Sequence, residues 1–110
     1  MNAAFDATGH ELEWALLPDD QCPDGPVATG VGGLASTDFA AVGVWEHPRG
    51  TSTDVEQDEV FVVLSGSGRV ILDTGAVLDL RPGTVGVLAA GTATTWIVDE
   101  PLCKVWLTPS

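Results

Sequence analysis

Four carboxylates fall within six residues, at Asp54, Glu56, Asp58 and Glu59, directly before an apolar run with the composition of a β-strand. Clustered carboxylates can ligate a metal ion, exchange protons with a substrate, or form a solvated rim. The spacing by itself leaves all three interpretations open.

Lys104 lies within the apolar stretch PLCKVWL. An unpaired buried charge is costly, so we expect this lysine either to be exposed on a sheet face or to be paired with a carboxylate. Glu59 is the candidate partner. Such a pair is either structural or the acid/base couple of an enzyme acting on a carbon–nitrogen or carbonyl substrate.

His47 ends a strand-like run and precedes the turn PRG. Strand alternation places it on the same face as Trp45. A neutral imidazole at a barrel mouth can bind a ligand or move a proton. The simpler interpretation is a hydrogen-bonded histidine at a strand end.

Aromatic and polar side chains alternate on the strands that follow. Glu59 and Phe61 share one face, and Thr94 and Trp96 share another. In a small barrel such aromatics are mostly core. The functional interpretation is a ligand pocket with an apolar wall of aromatics, Trp45, Phe61, Trp96 and Trp106, and a few polar groups, Thr94 among them, that orient the ligand.

The elements that carry these residues are short strands. From Phe39 onward, seven β-branched-rich runs are separated by turn segments such as GSG, RPG and DEP; the runs are FAAVGVWEH, EVFVVLSG, RVILD, AVLDL, TVGVLAA, TATTWIV and CKVWLTP. Before them, HELEWALLP is either a short helix or an edge strand, and PDDQCPDGPVATGVGG is expected to be a loop. The pattern predicts an all-β sandwich or barrel.

The run from Glu59 to Leu64 is apolar on both faces. A sheet in a monomer needs only one buried face, so the outer face must be covered. The cover is either the N-terminal segment or a second subunit. We predict a homodimer.

Composition excludes several partners. The 110 residues carry sixteen acids and four bases, a net charge of −12, which would repel nucleic acid and anionic membranes. The N-terminus lacks the pattern of a signal peptide, so we expect a cytoplasmic protein. Cys22 and Cys103 have no metal-binding spacing and are predicted to be free thiols.

The segment from Gly43 to Pro109 resembles the cupins, in particular the small group with (S)-ureidoglycine aminohydrolase-like domains. The stretches GVWEHPRG, DEVFVVLSGSGRVILDTG, LRPGTVGVLAAGTATTW and EPLCKVWLTP carry the resemblance. It implies a double-stranded β-helix, the cupin jelly-roll barrel, with a central pocket. Extended to Val27, it makes residues 27–110 the cupin domain. Residues 1–26 would then be an N-terminal strand/loop extension that packs on the barrel or on a partner subunit.

The resemblance also bears on metal binding. Metal-binding cupins have a His-x-His pair, then a glutamate, then a glycine, and only Glu59 and Gly66 match this motif. The histidine positions fall near Thr53 and Val55, and the histidine of the second motif falls on Thr94. One ligand does not make a site. We predict no His-ligated metal, with Glu59 as the ligand if a divalent metal is bound.

Another register places Glu56 and Asp58 at the His-x-His positions. Period-two alternation would then put both on the face opposite Glu59. We therefore expect Asp54, Glu56 and Asp58 to form a rim.

Three functions follow. The first is binding of a small polar metabolite in the barrel pocket without a metal, with Glu59, Thr94, His47 and Lys104 orienting it. The second is an amidohydrolase-like or isomerase-like enzyme that uses Glu59 with Lys104 or His47, or an atypical metal site. The third is a degenerate cupin that serves mainly as a dimeric structural domain. Fold alone does not choose among them.

Overall fold

The computed structural model describes residues 2–110, and strands make up most of that part of the chain. Their bounds are β1 Glu13–Leu16, β2 Ala28–Ser36, β3 Ala40–His47, β4 Gly50–Val55, β5 Glu59–Leu72, β6 Val77–Leu80, β7 Val85–Leu88 and β8 Ala93–Pro109. A single 3₁₀ turn, Asp19–Gln21, lies between β1 and β2. Within residues 2–110, no helix is long and apolar enough to span a membrane.

Two long strands, β5 and β8, organise the fold by pairing with each other along their length, from Val60 opposite Leu107 to Leu72 opposite Thr94. The first half of β5 also pairs with β7, and its second half pairs with β6. The first half of β8 pairs with β4, and its second half pairs with β3, which continues through β2 to β1. The first half of β5 and the second half of β8 therefore form one layer with β7, β3, β2 and β1, and the other two halves form a second layer with β6 and β4. This all-β arrangement is the predicted cupin jelly roll.

The bend between the two layers lies in the segment LSGSG. The register of β5 against β8 shifts several times between Val63 and Gly68. Gly66 has a φ of +89°, and a Cβ there would overlap the Pro101 carbonyl oxygen. Bulges of this kind bend a strand from one sheet into the next. The sequence predicted that GSG and DEP are turns between separate strands. Instead, GSG lies inside β5 and DEP lies inside β8.

Two further strand predictions need correction. Strand β4 was missed because GTSTDV is polar and short, and it forms by pairing with β8. Strand β2 occupies Ala28–Ser36, where the predicted loop extended through Gly33. The ambiguous HELEWALLP segment contains the edge strand β1, which pairs with β2.

The two faces of β5 differ as alternation predicts. Phe61 and Val63 point inward and are fully buried, whereas Val60 is 40% exposed. Val60 lies opposite Val87, which is 70% exposed on the same outer face. The N-terminal segment therefore leaves this face uncovered, so that alternative is wrong. Covering by a second subunit stays a prediction.

The inner faces enclose a core of Phe61, Val63, Val70, Leu80, Leu88, Trp96, Val98 and Leu102. Trp45 and Trp106 are half-buried against one side of it. Cys22 and Cys103 are free thiols, as predicted. Burial, together with the neighbouring Glu46, raises the pKa of Cys103 to about 11.

Candidate functional site

A cavity of about 460 Å³ is lined by residues of β2, β3, β4, β5 and β8 and of the N-terminal segment. Its wall combines charged and aromatic side chains; among them are Asp54, Glu56, Glu59, Lys104, Trp45, Trp96 and Trp106. The N-terminal segment contributes Leu17 and Gln21, and the Gln21 side chain donates a hydrogen bond to the Thr53 carbonyl at 2.9 Å. Residues before Val27 thus reach the cavity, although the domain boundary at residue 26 stays a prediction.

Lys104 and Glu59 form a buried ion pair in the cavity wall. The Lys104 Nζ lies 2.6 Å from Glu59 Oε2, and the two side chains are 5% and 16% exposed. Lys104 stands opposite Trp45 on β3 and opposite Val63 on β5, so its side chain projects to the inner side of the barrel. The pairing predicted from the apolar context of Lys104 is therefore present.

Three aromatic rings surround the Lys104 ammonium. Its Nζ lies 4.5 Å from the ring centroid of Trp45, 4.5 Å from that of Trp96 and 4.8 Å from that of Phe61. The rings also pack on each other, with 5.2 Å between the centroids of Trp45 and Trp96. Faces of aromatic rings attract cations, so this arrangement offsets part of the cost of burying the ammonium.

Glu56 is a cavity residue, which corrects its prediction as rim. Its side chain is buried, and its Oε1 accepts hydrogen bonds from Thr94 Oγ1 at 3.2 Å and Trp96 Nε1 at 3.3 Å. Burial, then the charge of Asp54, raises the pKa of the Glu56 carboxyl. Alternation from Glu59 failed here because Glu56 lies between strands β4 and β5, where period two does not hold.

The neighbouring carboxylates are more exposed. Asp58 is exposed, and its Oδ1 accepts a hydrogen bond from the Ala90 amide at 2.8 Å. Asp54 is exposed yet contributes to the cavity lining. Of the four clustered acids, three therefore line the cavity.

His47 is buried behind the wall, beside Trp45 as predicted. Its Nδ1–H donates to the Pro48 carbonyl at 2.6 Å, so Nε2 is the acceptor for Ser52 Oγ at 2.8 Å. Burial is the main cause that lowers the pKa of this imidazole. The ring is therefore neutral near pH 7, and it holds Ser52, which lines the cavity.

The predicted site residues divide into two groups. Glu59, Lys104, Trp45 and Trp96 line the cavity. Phe61, Thr94 and His47 lie behind it, where they contact Lys104, Glu56 and Ser52 respectively. Glu56, Ser52 and Gln21 also line the cavity and were not predicted to do so, whereas Trp106 lines it as one of the aromatics on the predicted strands. The alternative cupin register placed Glu56 at a His-x-His position, but alternation from Glu59 argued against it; no motif marks Ser52 or Gln21.

The residues around Glu59 do not fit a transition-metal site. Within residues 2–110 there is no group of three or more histidine, cysteine, aspartate or glutamate side chains placed to hold a metal. Glu59 Oε2 accepts a hydrogen bond from the Lys104 ammonium. The cation beside the Glu59 carboxylate is thus the ammonium of Lys104.

The jelly-roll topology and the inward-facing glutamate on β5 define a cupin. The family model of the EutQ-like cupin domain matches residues 34–106. The chain therefore belongs to the EutQ-like cupin domain family. The finer grouping with the (S)-ureidoglycine aminohydrolase-like domains stays a prediction.

Solved structures share this fold. The EutQ protein of Clostridium difficile is 16% identical, with a TM-score of 0.67 over 86% of this chain and 79% of that one. The polyketide cyclase RemF of Streptomyces resistomycificus is 17% identical, with a TM-score of 0.69 over 99% and 80% of the two chains. The Schizosaccharomyces pombe Cnp3 cupin domain is 14% identical, with a TM-score of 0.67 over 94% and 71%. No curated protein matches the sequence. At these identities the likeness establishes the fold alone.

Proposed function

We propose that this protein binds a small polar metabolite in the barrel cavity, without a His-ligated metal. The observation that carries the proposal is the buried Lys104–Glu59 pair, which stands in the cavity wall under two tryptophans. A cavity of about 460 Å³ has the size of a small-ligand site, with an aromatic wall and a few convergent polar groups. The expected setting is the cytoplasm.

The energetics of the pair support a functional role. A buried ion pair stabilises a fold no better than well-packed apolar residues do, because both charges lose their hydration. Removing one partner is far worse, at about 3–5 kcal/mol, since it leaves one charge unpaired. A pair of this kind on a cavity wall therefore favours a role toward a ligand over a role in stability alone.

Elemental analysis of protein purified without chelator tests the metal-free part of the proposal. We expect no stoichiometric transition metal. Manganese, iron, nickel or zinc that is present at one equivalent, and that disappears in Glu59→Gln, would overturn it.

A thermal-shift screen tests the binding part, because a ligand specific for the native state raises the melting temperature by mass action. The panel contains small carboxylates, sugars, amines and the ureido compounds that the (S)-ureidoglycine aminohydrolase-like grouping implies. A compound that raises the melting temperature of the wild type should raise it less in the double variant Glu59→Gln/Lys104→Met, which leaves no unpaired charge. The rise should be unchanged in Glu100→Gln, at an exposed position of β8. If no compound in the panel raises the melting temperature, the dimeric structural role becomes the better explanation.

A second candidate is acid/base catalysis in the same cavity. The specific observation is Glu56, a buried carboxyl whose pKa is raised by burial and which lines the cavity beside Glu59. Two carboxyls in different environments can serve as proton donor and acceptor toward one substrate. This candidate replaces His47 with Glu56 as the proton-exchanging group, because both His47 ring nitrogens are already hydrogen-bonded.

A further inference from the structure

Two carboxylate oxygens are open to the cavity. Glu56 uses Oε1 for Thr94 and Trp96, and Glu59 uses Oε2 for Lys104. In the part of the chain that the structure describes, Glu56 Oε2 and Glu59 Oε1 accept no hydrogen bond. No buried side-chain nitrogen or oxygen there lacks a partner, so these two oxygens must be accessible, and both residues line the cavity. Glu59 Oε1, and Glu56 Oε2 when Glu56 is ionised, are therefore left as acceptors for a ligand.

The charge of the wall is negative in either protonation state of Glu56. Asp54, Glu56 and Glu59 line the cavity with a single cationic side chain, Lys104. With Glu56 protonated the lining carries two carboxylates against one ammonium, and with Glu56 ionised it carries three. The net charge of −12 on the whole chain adds to this field. An entering cation is attracted and an entering anion is repelled.

The aromatic part of the wall is also suited to cations. Trp45 and Trp96 already present their faces to an ammonium, that of Lys104, at 4.5 Å. Trp106 lines the same cavity. Indole faces are the strongest cation–π partners among the side chains. Lys104 occupies the faces of Trp45 and Trp96 that are turned to it, so a ligand cation is left the ring of Trp106, over which no lysine or arginine lies within residues 2–110.

We propose that the cavity takes a small organic cation bearing N–H donors, a primary ammonium or a guanidinium, which donates to Glu59 Oε1 and, with Glu56 ionised, to Glu56 Oε2. This ligand class rests on the proposed function, because it assumes that the cavity is a binding site. Lys104 orients Glu59 by occupying its other oxygen.

The test compares three probes with the same four-carbon chain: butylammonium, 1-butanol and butyrate. Binding is followed by NMR through the indole N–H signals of the tryptophans, in about 0.15 M salt, where the field of distant surface charges is screened. We expect butylammonium to bind about tenfold more tightly than 1-butanol, the factor that one charge-assisted hydrogen bond supplies. Butyrate should bind more weakly than either.

Two matched variants locate the effect. Glu56→Gln keeps an acceptor for Trp96 and Thr94 but turns an amide toward the cavity, so the preference for butylammonium over 1-butanol should shrink to the part that Glu59 Oε1 supplies. Glu100→Gln removes one equivalent negative charge from an exposed position of β8 and should leave the preference intact. Unchanged chemical shifts of the core residues in both variants establish that the fold is retained.

The outcomes separate the two proposals. Equal or tighter binding of 1-butanol or butyrate overturns the cation assignment while the cavity stays a binding site. The cation assignment is also overturned if Glu56→Gln and Glu100→Gln lose the preference for butylammonium equally, because the net negative charge of the whole chain would then be its cause. If none of the three probes moves a tryptophan signal at millimolar concentration, both the cation assignment and the proposed function fall.

Discussion

The Glu56 carboxyl lies in an environment that favours its protonated form, because burial and Asp54 raise its pKa above the ordinary 4.5. A carboxyl whose pKa is higher in the folded than in the unfolded state stabilises the fold most below its unfolded-state pKa, here pH 4.5. That contribution is lost as the pH rises through the folded-state pKa. Glu56→Gln cannot ionise, so its free energy of unfolding should rise relative to the wild type as the pH increases from 4.5 to about 8.

Urea unfolding at several pH values measures this difference. Glu100→Gln is the control, since it removes the same formal charge from an exposed site and should track the wild type. If the free energies of unfolding of the wild type and Glu56→Gln change with pH in the same way, the buried environment described for this carboxyl is contradicted.

At the scale of elements, the bend in β5 depends on a glycine for two separate reasons. Gly66 and Gly75 have the same φ of +89°, but a Cβ at Gly75 meets nothing within 4 Å, whereas one at Gly66 would overlap the backbone of Pro101 and Leu102. Gly75→Ala should therefore cost about 1 kcal/mol, from backbone strain alone. Gly66→Ala should cost about 3 kcal/mol or more, because β8 must move to admit the methyl group.

Chemical denaturation of the two alanine variants separates strain from steric overlap, since each serves as the control for the other. Equal losses of stability would mean that β5 and β8 adjust freely at the bend. A larger loss at Gly75 would contradict the description of the bend altogether.

At the scale of the whole molecule, we propose that a second copy of the chain covers the outer face of β5 and β7. Val60, Val85 and Val87 stay 40%, 63% and 70% exposed with the N-terminal segment in place. Val60 and Val87 lie directly opposite each other, and Val85 lies opposite Val62 on the same face. Contiguous apolar surface of this kind marks an interface.

Sedimentation equilibrium tests the dimer. The wild type should dimerise, more strongly as salt is added, because two chains with a charge of −12 each repel until screened. Val87→Asp should be monomeric. Leu16→Asp is the matched control, at 72% exposure on the edge strand β1, and should stay dimeric. A wild type that is monomeric at every salt concentration would sink the proposal.

Much of the fold could be predicted because strand alternation is local. The buried Phe61 and Val63 and the outward Val60 follow from period two within one strand, and the Lys104–Glu59 pair follows from the cost of an unpaired buried ammonium. Strand β4 could not be predicted, because its polar sequence becomes a strand only through pairing with β8. Glycines at LSGSG indicated a turn, although here they form bulges in a continuous strand.

Residue types and their short-range spacing predicted the all-β class, the inward and outward faces of the first half of β5, the acidic charge and the missing cupin histidines. These are properties of residue type and short-range period. The tertiary structure was needed to show that Glu56 lies with Glu59 in the cavity, that His47 is hydrogen-bonded to Ser52, and that Gln21 lines the cavity wall. Those placements depend on how residues from different strands meet, because burial, pKa and vacant hydrogen-bond acceptors are set by neighbours that are distant in the chain.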